Sequence, residues 1–223
     1  MNNGLAATRL RPRPFQDARL LAAVLTVCLA LAAPALAGTV LEEWAGVKTP
    51  PAPEARAVTV APKTTALLVL DMQPQTCNDE RRPRCKPTRA PIAKLIERAR
   101  AAGMVVVYSV IRTGKPEDMF PEMGWHKGDP WVKSTVDKFL GTELENILKQ
   151  KGVNTVILTG TAAQGAVLHT ATAAAQRGME VVVPVDALSA EDTFTEMAAV
   201  WALVSGPATR DKVTLTTTDK IGF

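Results

Sequence analysis

Histidine is almost missing from this chain: its 223 residues include two, His126 and His169, far apart and in no ligand spacing. No metal centre is therefore expected, because such sites draw on clustered His, Cys and carboxylate ligands. Aromatic residues make up only 4% of the chain, and no basic stripe interleaves with them. That excludes the combined electrostatic and stacking surface that nucleic acid requires. An excess of one charge is lacking as well. The formal net charge of +4 comes largely from Arg9, Arg11, Arg13 and Arg19, and beyond residue 37 the chain holds 22 basic against 21 acidic residues. There is no repeat and no low-complexity tract. The one long apolar run, LLAAVLTVCLALAA from Leu20 to Ala33, is short for a bilayer span.

What is present begins with that run. A basic head, an apolar stretch and the Ala35-Leu36-Ala37 site together read as a secretory signal peptide over residues 1–37, with a retained anchor as the alternative. Cys28 would leave with it, and Val27 before it suits lipoprotein processing poorly. The mature protein then keeps Cys77 and Cys85, in CNDERRPRC, and an oxidising compartment makes a local disulfide the expected state. Closing so short a loop contributes about 2.5 kcal/mol on the chain-entropy account. The alternative is a free reactive thiol. Residues 38–63, with Pro50, Pro51 and Pro53, read as an extended arm. Trp44 in that arm is an expected anchor onto the domain or onto a second subunit, so a homo-oligomer is allowed for.

With 47% hydrophobic residues, the remainder suffices for one domain, placed at residues 64–223. Short Val/Leu/Ile runs alternate there with helical stretches, which predicts βαβ units and a parallel sheet covered on both faces. Strands are expected at 66–70, 104–111, 155–160, 180–185 and 212–217, with a short one near 131–134. Helices are expected at about 91–102, 142–151, 166–177 and 193–205, with Gly103, Gly152, Gly178 and Gly206 behind them. The fold class is α/β: three layers, α/β/α, around a doubly wound, mainly parallel, six-stranded Rossmann-like sheet. Its ligand crevice should lie at the carboxyl ends of the strands.

Three features fall at that edge. Asp71 directly follows the apolar strand ALLVL, where partial desolvation raises proton affinity and suits a general acid or base; a capping or loop-bonding Asp is the plainer reading. Lys133, in PWVKSTVDKF, ends the short strand and can aim an ammonium at Asp71 or at developing negative charge; alone it reads as a surface lysine. The small-residue loop GTAAQGAVLHTATAAA feeds a helix N-terminus, a natural place for an oxyanion.

Taken together, LLVLDMQ and the stretch from VKSTVDKFLGTELENIL through GTAAQGAVLHTATAAA to VVVPVDALSA resemble the isochorismatase-like hydrolase superfamily over about Lys63 to Asp219. The resemblance implies an acid/base at Asp71. It implies a supporting lysine six residues before Phe139, which is Lys133. The nucleophile position lies six residues after Gly160, and there this chain has Ala166 in place of the cysteine of amidase members. An oxyanion hole is implied at the backbone N–H groups of Ala162 and Ala166, with a non-proline cis peptide before Ala162. The Asp-x-His cluster of metal-dependent nicotinamidases is missing. Isochorismatases proper, which cleave a vinyl ether by proton donation from the Asp, also lack a cysteine there. Among neighbours, Gln73, Arg112, Trp125 and Trp131 are candidates to line the pocket. Thr161, Thr170 and His169 flank the loop, the last two on the helix beyond it.

The expected function is an exported, periplasmic or secreted hydrolase of a small molecule with a C–N, ester or vinyl-ether bond. It would work without cofactor or metal, through Asp71 and Lys133 rather than a cysteine, with no nucleic-acid partner and no membrane attachment after leader removal. Two alternatives stay open: a catalytically inactive small-molecule-binding protein, or a hydrolase using Cys77.

Overall fold

The computed structural model describes residues 38–223; the expected signal peptide and Cys28 lie outside the described residues. The chain divides into two units, Met1–Pro50 and Pro51–Phe223. In the described part of the first unit, residues 38–50 are not extended throughout. A short helix, α1 (Val40–Glu43), forms because Thr39 and Glu42 make a reciprocal capping box, satisfying two backbone donors that a helix start leaves open. Trp44 follows α1 and is 58% exposed.

The second unit carries the sheet. Six strands lie parallel in the order β4 (Trp131–Lys133), β3 (Val105–Val110), β2 (Thr65–Leu70), β5 (Thr155–Thr161), β6 (Glu180–Pro184), β8 (Val213–Thr216). A two-residue strand, β7 (Leu188–Ser189), adds to the end of β5. All six residues of β2 are buried, because alternate side chains enter cores on opposite faces. Ala66, Leu68 and Leu70 join one core and Leu67 and Val69 the other, which is why this strand reads as an unbroken apolar run.

The helix α2 (Arg89–Ala101) covers the second of these faces with Ile92, Leu95, Ile96 and Ala99. The first face is covered by α3 (Leu144–Gln150), α4 (Leu168–Gln176) and α5 (Thr193–Ser205), through Leu144 and Leu148, Ala171 and Ala174, and Ala199 and Leu203. The chain thus winds outward from β2 in one direction and from β5 in the other. The reversal point of such a sheet opens a crevice beyond the carboxyl ends of its two central strands. Gly160 lies at that point with φ +113°, and a Cβ there would come within 2.1 Å of the Leu70 carbonyl oxygen. Only glycine allows the ends of β2 and β5 to approach so closely.

Three differences from the expected elements have local causes. The helix expected from residue 166 begins as α at Leu168, since residues Ala163–Val167 form one wide π turn. Gly206 closes α5 with φ −66° rather than in the left-handed conformation that Gly103, Gly152 and Gly178 adopt. The second unit begins at Pro51 rather than at residue 64: β1 (Val58–Thr59) pairs in parallel with β9 (Ile221–Gly222), and the Arg56 N–H donates to Leu215 O.

Candidate active site

Asp71 stands at the first position past β2, in the crevice between the central strands. Its backbone takes the left-handed conformation, φ +53°, the one non-glycine case among the described residues, a conformation that asparagine and aspartate adopt more readily than other side chains. The loop that follows holds it there. The Asp71 N–H donates to Ser109 O at 3.1 Å, and Gln73 N–H and Thr76 Oγ1 both donate to the Asp71 carbonyl.

The carboxyl is 5% exposed as a residue and receives one donor on each oxygen: Ser109 Oγ on Oδ1 at 2.7 Å, and Lys138 Nζ on Oδ2 at 2.7 Å. Burial raises the Asp71 pKa above the ordinary carboxylate value. The charge and hydrogen bond of Lys138, the Ser109 hydroxyl and the charge of Arg82 pull it only part of the way back. Lys138 is itself fully buried, and its ammonium makes a second bond to Thr135 O at 2.5 Å.

The lysine beside Asp71 is therefore Lys138, and the expectation for Lys133 is corrected. β4 has one inward residue, Val132, so the pleat turns both Trp131 and Lys133 outward. There the Lys133 ammonium lies 6.0 Å from the Trp131 ring centroid. After the strand the chain turns inward, and Lys138 is fixed by its N–H bond to Thr170 Oγ1 at 3.2 Å and by the neighbouring buried Phe139.

A cavity of about 320 Å³ opens against this pair, lined by Asp71, Arg82, Arg112, Thr161, Ala162 and Ala166 among others. Its volume lies in the range of small-molecule sites, about 300–1,000 Å³. The peptide bond between Thr161 and Ala162 is cis, as the resemblance implied. Ala166, in the π turn, presents a methyl group to the same space.

Residues 65–218 match the Isochorismatase domain, most of the chain's length. The chain belongs to the isochorismatase family. It is 29% identical over 146 residues, 60% of its own length and 77% of the relative's, to the secreted isochorismatase effector Isc1 of Verticillium dahliae. Among solved structures it resembles an isochorismatase family protein from Burkholderia thailandensis (TM-score 0.63, 23% identity, 74% of this chain and 96% of that one). It also resembles a cysteine hydrolase from Pseudomonas syringae pv. phaseolicola (TM-score 0.64, 22% identity, 75% and 95%). An N-carbamoylsarcosine amidase from Thermoplasma acidophilum is similar at TM-score 0.56 and 28% identity, over 70% and 97%. The isochorismatase fold expected from the sequence is thus the fold of the chain.

Within this isochorismatase domain the remaining candidates divide. Arg112 lines the cavity. Gln73 does not: it is fully buried, its Oε1 accepts the Ile111 N–H at 3.3 Å, and its Nε2 donates to Gln75 Oε1, so it ties together the loops after β2 and β3. Trp125 packs against the core on the α2 face, and Trp131 lies on the outer side of β4, 40% exposed. Thr170 braces Lys138 and Val136 through its hydroxyl, while His169 lies on the outward side of α4. Cys77 is bonded to Cys85, with Cα atoms 5.3 Å apart. A disulfide sulfur offers no thiolate, so the Cys77 hydrolase is set aside.

Two charged residues escaped the sequence reading: Lys138, buried behind Asp71, and Arg82, on the cavity lining. Lys138 carried a signal in its place directly before an apolar anchor, but Lys133 ended a recognisable strand and drew the assignment. Arg82 lies in a charged, proline-containing loop, and nothing local indicates that the disulfide brings it back over Asp71.

Proposed function

We propose that this protein is an exported hydrolase of the isochorismatase type, in which Asp71 is the proton donor, Lys138 supports it, and no cysteine takes part. One observation carries the reading: a desolvated carboxyl, held by Lys138 at 2.7 Å and by Ser109, opens on a cavity of small-molecule size. A carboxyl whose pKa is raised by burial retains its proton closer to neutrality and can deliver it to substrate.

For a vinyl ether, the proton would pass from Asp71 to the vinyl carbon. The resulting oxocarbenium ion would take up water, whose proton returns to Asp71, and the hemiketal would separate into a carbonyl compound and an alcohol. Such a route needs no nucleophilic side chain, which suits Ala166. Developing negative charge on an ester or amide oxygen would instead fall to the backbone N–H groups of Ala162 and Ala166. Export is supported by the basic-headed apolar leader and by the secreted relative in Verticillium dahliae.

The experiment is a panel of vinyl ethers, esters, amides and ureas offered in parallel to the wild type and to Asp71→Asn. Cleavage by the wild type that Asp71→Asn loses by at least about a hundredfold supports the proton-donor role. Equal rates would overturn it. The methyl group at Ala166 favours a second reading, a binding protein that kept the crevice without catalysis, and saturable binding with no turnover across the panel would select it.

A further inference from the structure

The cavity has a second polar side, and it is cationic. Asp71 and Lys138 neutralise one another at 2.7 Å, leaving Arg82 and Arg112 as the charged groups on the remaining lining. Arg82 is half-buried. Its Nη1 donates to Thr76 O at 2.9 Å, while its Nε is buried without a hydrogen-bond partner among the described residues. Burial, and then the charge of Arg81, pull its pKa below the ordinary guanidinium value, against the charges of Glu191 and Asp71. Of these two, Asp71 is paired with Lys138, and Glu191 is exposed and is itself held by the Gln164 amide at 2.9 and 3.1 Å.

Arg82 owes its position to a closed loop. Both cysteines are buried, at 3% and 0% exposure. Between them the Arg82 N–H donates to Asn78 O at 2.8 Å, and the Cys85 N–H donates back to Arg82 O at 2.9 Å. The Cys77–Cys85 bond thus ends the loop on the core and leaves the guanidinium over the cavity.

We infer that the substrate is an anion, a small carboxylate-bearing molecule whose carboxylate is taken by Arg82 with Arg112, and that the Cys77–Cys85 disulfide is what seats Arg82. The inference rests on reading this cavity as the substrate site. A guanidinium presents paired donors that match a carboxylate, and its value rises where water is excluded. Arg82 then acts as a specificity residue of the same cavity that Asp71 lines.

The test uses benzoate and its uncharged counterpart benzamide as probes, with the oxidised full-domain protein. Affinity is followed by calorimetry, and the location of binding by amide chemical shifts at residues 71, 162 and 166. Benzoate should bind about tenfold or more tighter than benzamide. Arg82→Gln should remove that preference, and Arg82→Lys should restore part of it. Cys77→Ser/Cys85→Ser, or reduction of the wild type, should reduce the preference several-fold; a circular dichroism spectrum checks that the domain stays folded, and if it does not, the Arg82→Gln comparison decides. Equal affinities for the two probes, both shifting residues 71, 162 and 166, would overturn the anion assignment and leave the cavity as the site. Shifts at none of these residues with either probe would overturn the cavity reading and the anion assignment with it. A preference unchanged after disulfide removal from a folded protein would overturn the seating role.

Discussion

Replacing Lys138 with methionine removes the ammonium from a fully buried position while keeping most of its volume. Asp71 is then left with Ser109 as the hydrogen-bond donor on its carboxyl. Breaking a buried pair by deleting one partner costs about 3–5 kcal/mol, because an uncompensated charge remains. That loss has a ceiling, since the carboxyl can take up a proton instead. From an ordinary pKa of about 3.9, protonation costs about 4 kcal/mol at pH 7 and about 1.5 kcal/mol at pH 5. The direction of the shift sets the pH dependence. Burial already raises Asp71 in the folded protein, and losing Lys138 raises it further, so stability is greatest at low pH and falls as pH rises through the folded-state value. Urea unfolding of wild type and Lys138→Met at a series of pH values should therefore show a deficit of about 3–4 kcal/mol at pH 7 that shrinks to about 1.5 kcal/mol or less at pH 5. The double variant Asp71→Asn/Lys138→Met, which has no charge left to strand, should show little of that slope. A deficit that is the same at every pH, or that stays below about 1 kcal/mol at pH 7, would refute an ionised Asp71–Lys138 pair.

Three further outcomes follow from the same geometry. Lys133→Ala, on the exposed side of β4, should change unfolding stability by no more than about 0.5 kcal/mol and leave the thermal midpoint near that of wild type. Gly160→Ala would set a Cβ 2.1 Å from the Leu70 carbonyl oxygen at φ +113°, so the variant should lose about 4 kcal/mol or fail to accumulate as folded protein, read by thermal unfolding and soluble yield. Ala166→Cys should place a thiol in the cavity beside Asp71 and near the start of α4, and labelling by iodoacetamide at residue 166 should be faster in the folded variant than in an unfolded control. Slower labelling in a folded variant would show that the loop is no longer arranged for a nucleophile.

The sheet was legible because its strands are buried on both faces, so ALLVL and TVILTG stand out as apolar runs without alternation. What escaped was short or non-local. The strands β1, β7 and β9 have two residues each and are made by pairing with distant partners, which leaves no periodic trace. Asp71 was found because a carboxylate ending an apolar strand is anomalous. Strand position and the six-residue spacing to Phe139 that the resemblance implies both indicate Lys133, but a three-residue strand with one inward residue turns its neighbours out, and the burial of Lys138 depends on Thr135, Thr170 and Asp71, which the fold alone brings together. Gln73 and Trp125 were candidates for the cavity and prove to be interior struts, because polarity and aromaticity do not reveal on which side of a loop a side chain packs.

The central claim is that Asp71 is a buried acid tuned by Lys138. Its most direct test is the carbon-13 NMR titration of the Asp71 side-chain carboxyl in wild type, Lys138→Met and Lys133→Met. The claim predicts a midpoint above the ordinary carboxylate range in wild type, a higher one in Lys138→Met, and no change in Lys133→Met. An ordinary midpoint in wild type, or a shift caused by Lys133→Met and not by Lys138→Met, would contradict it.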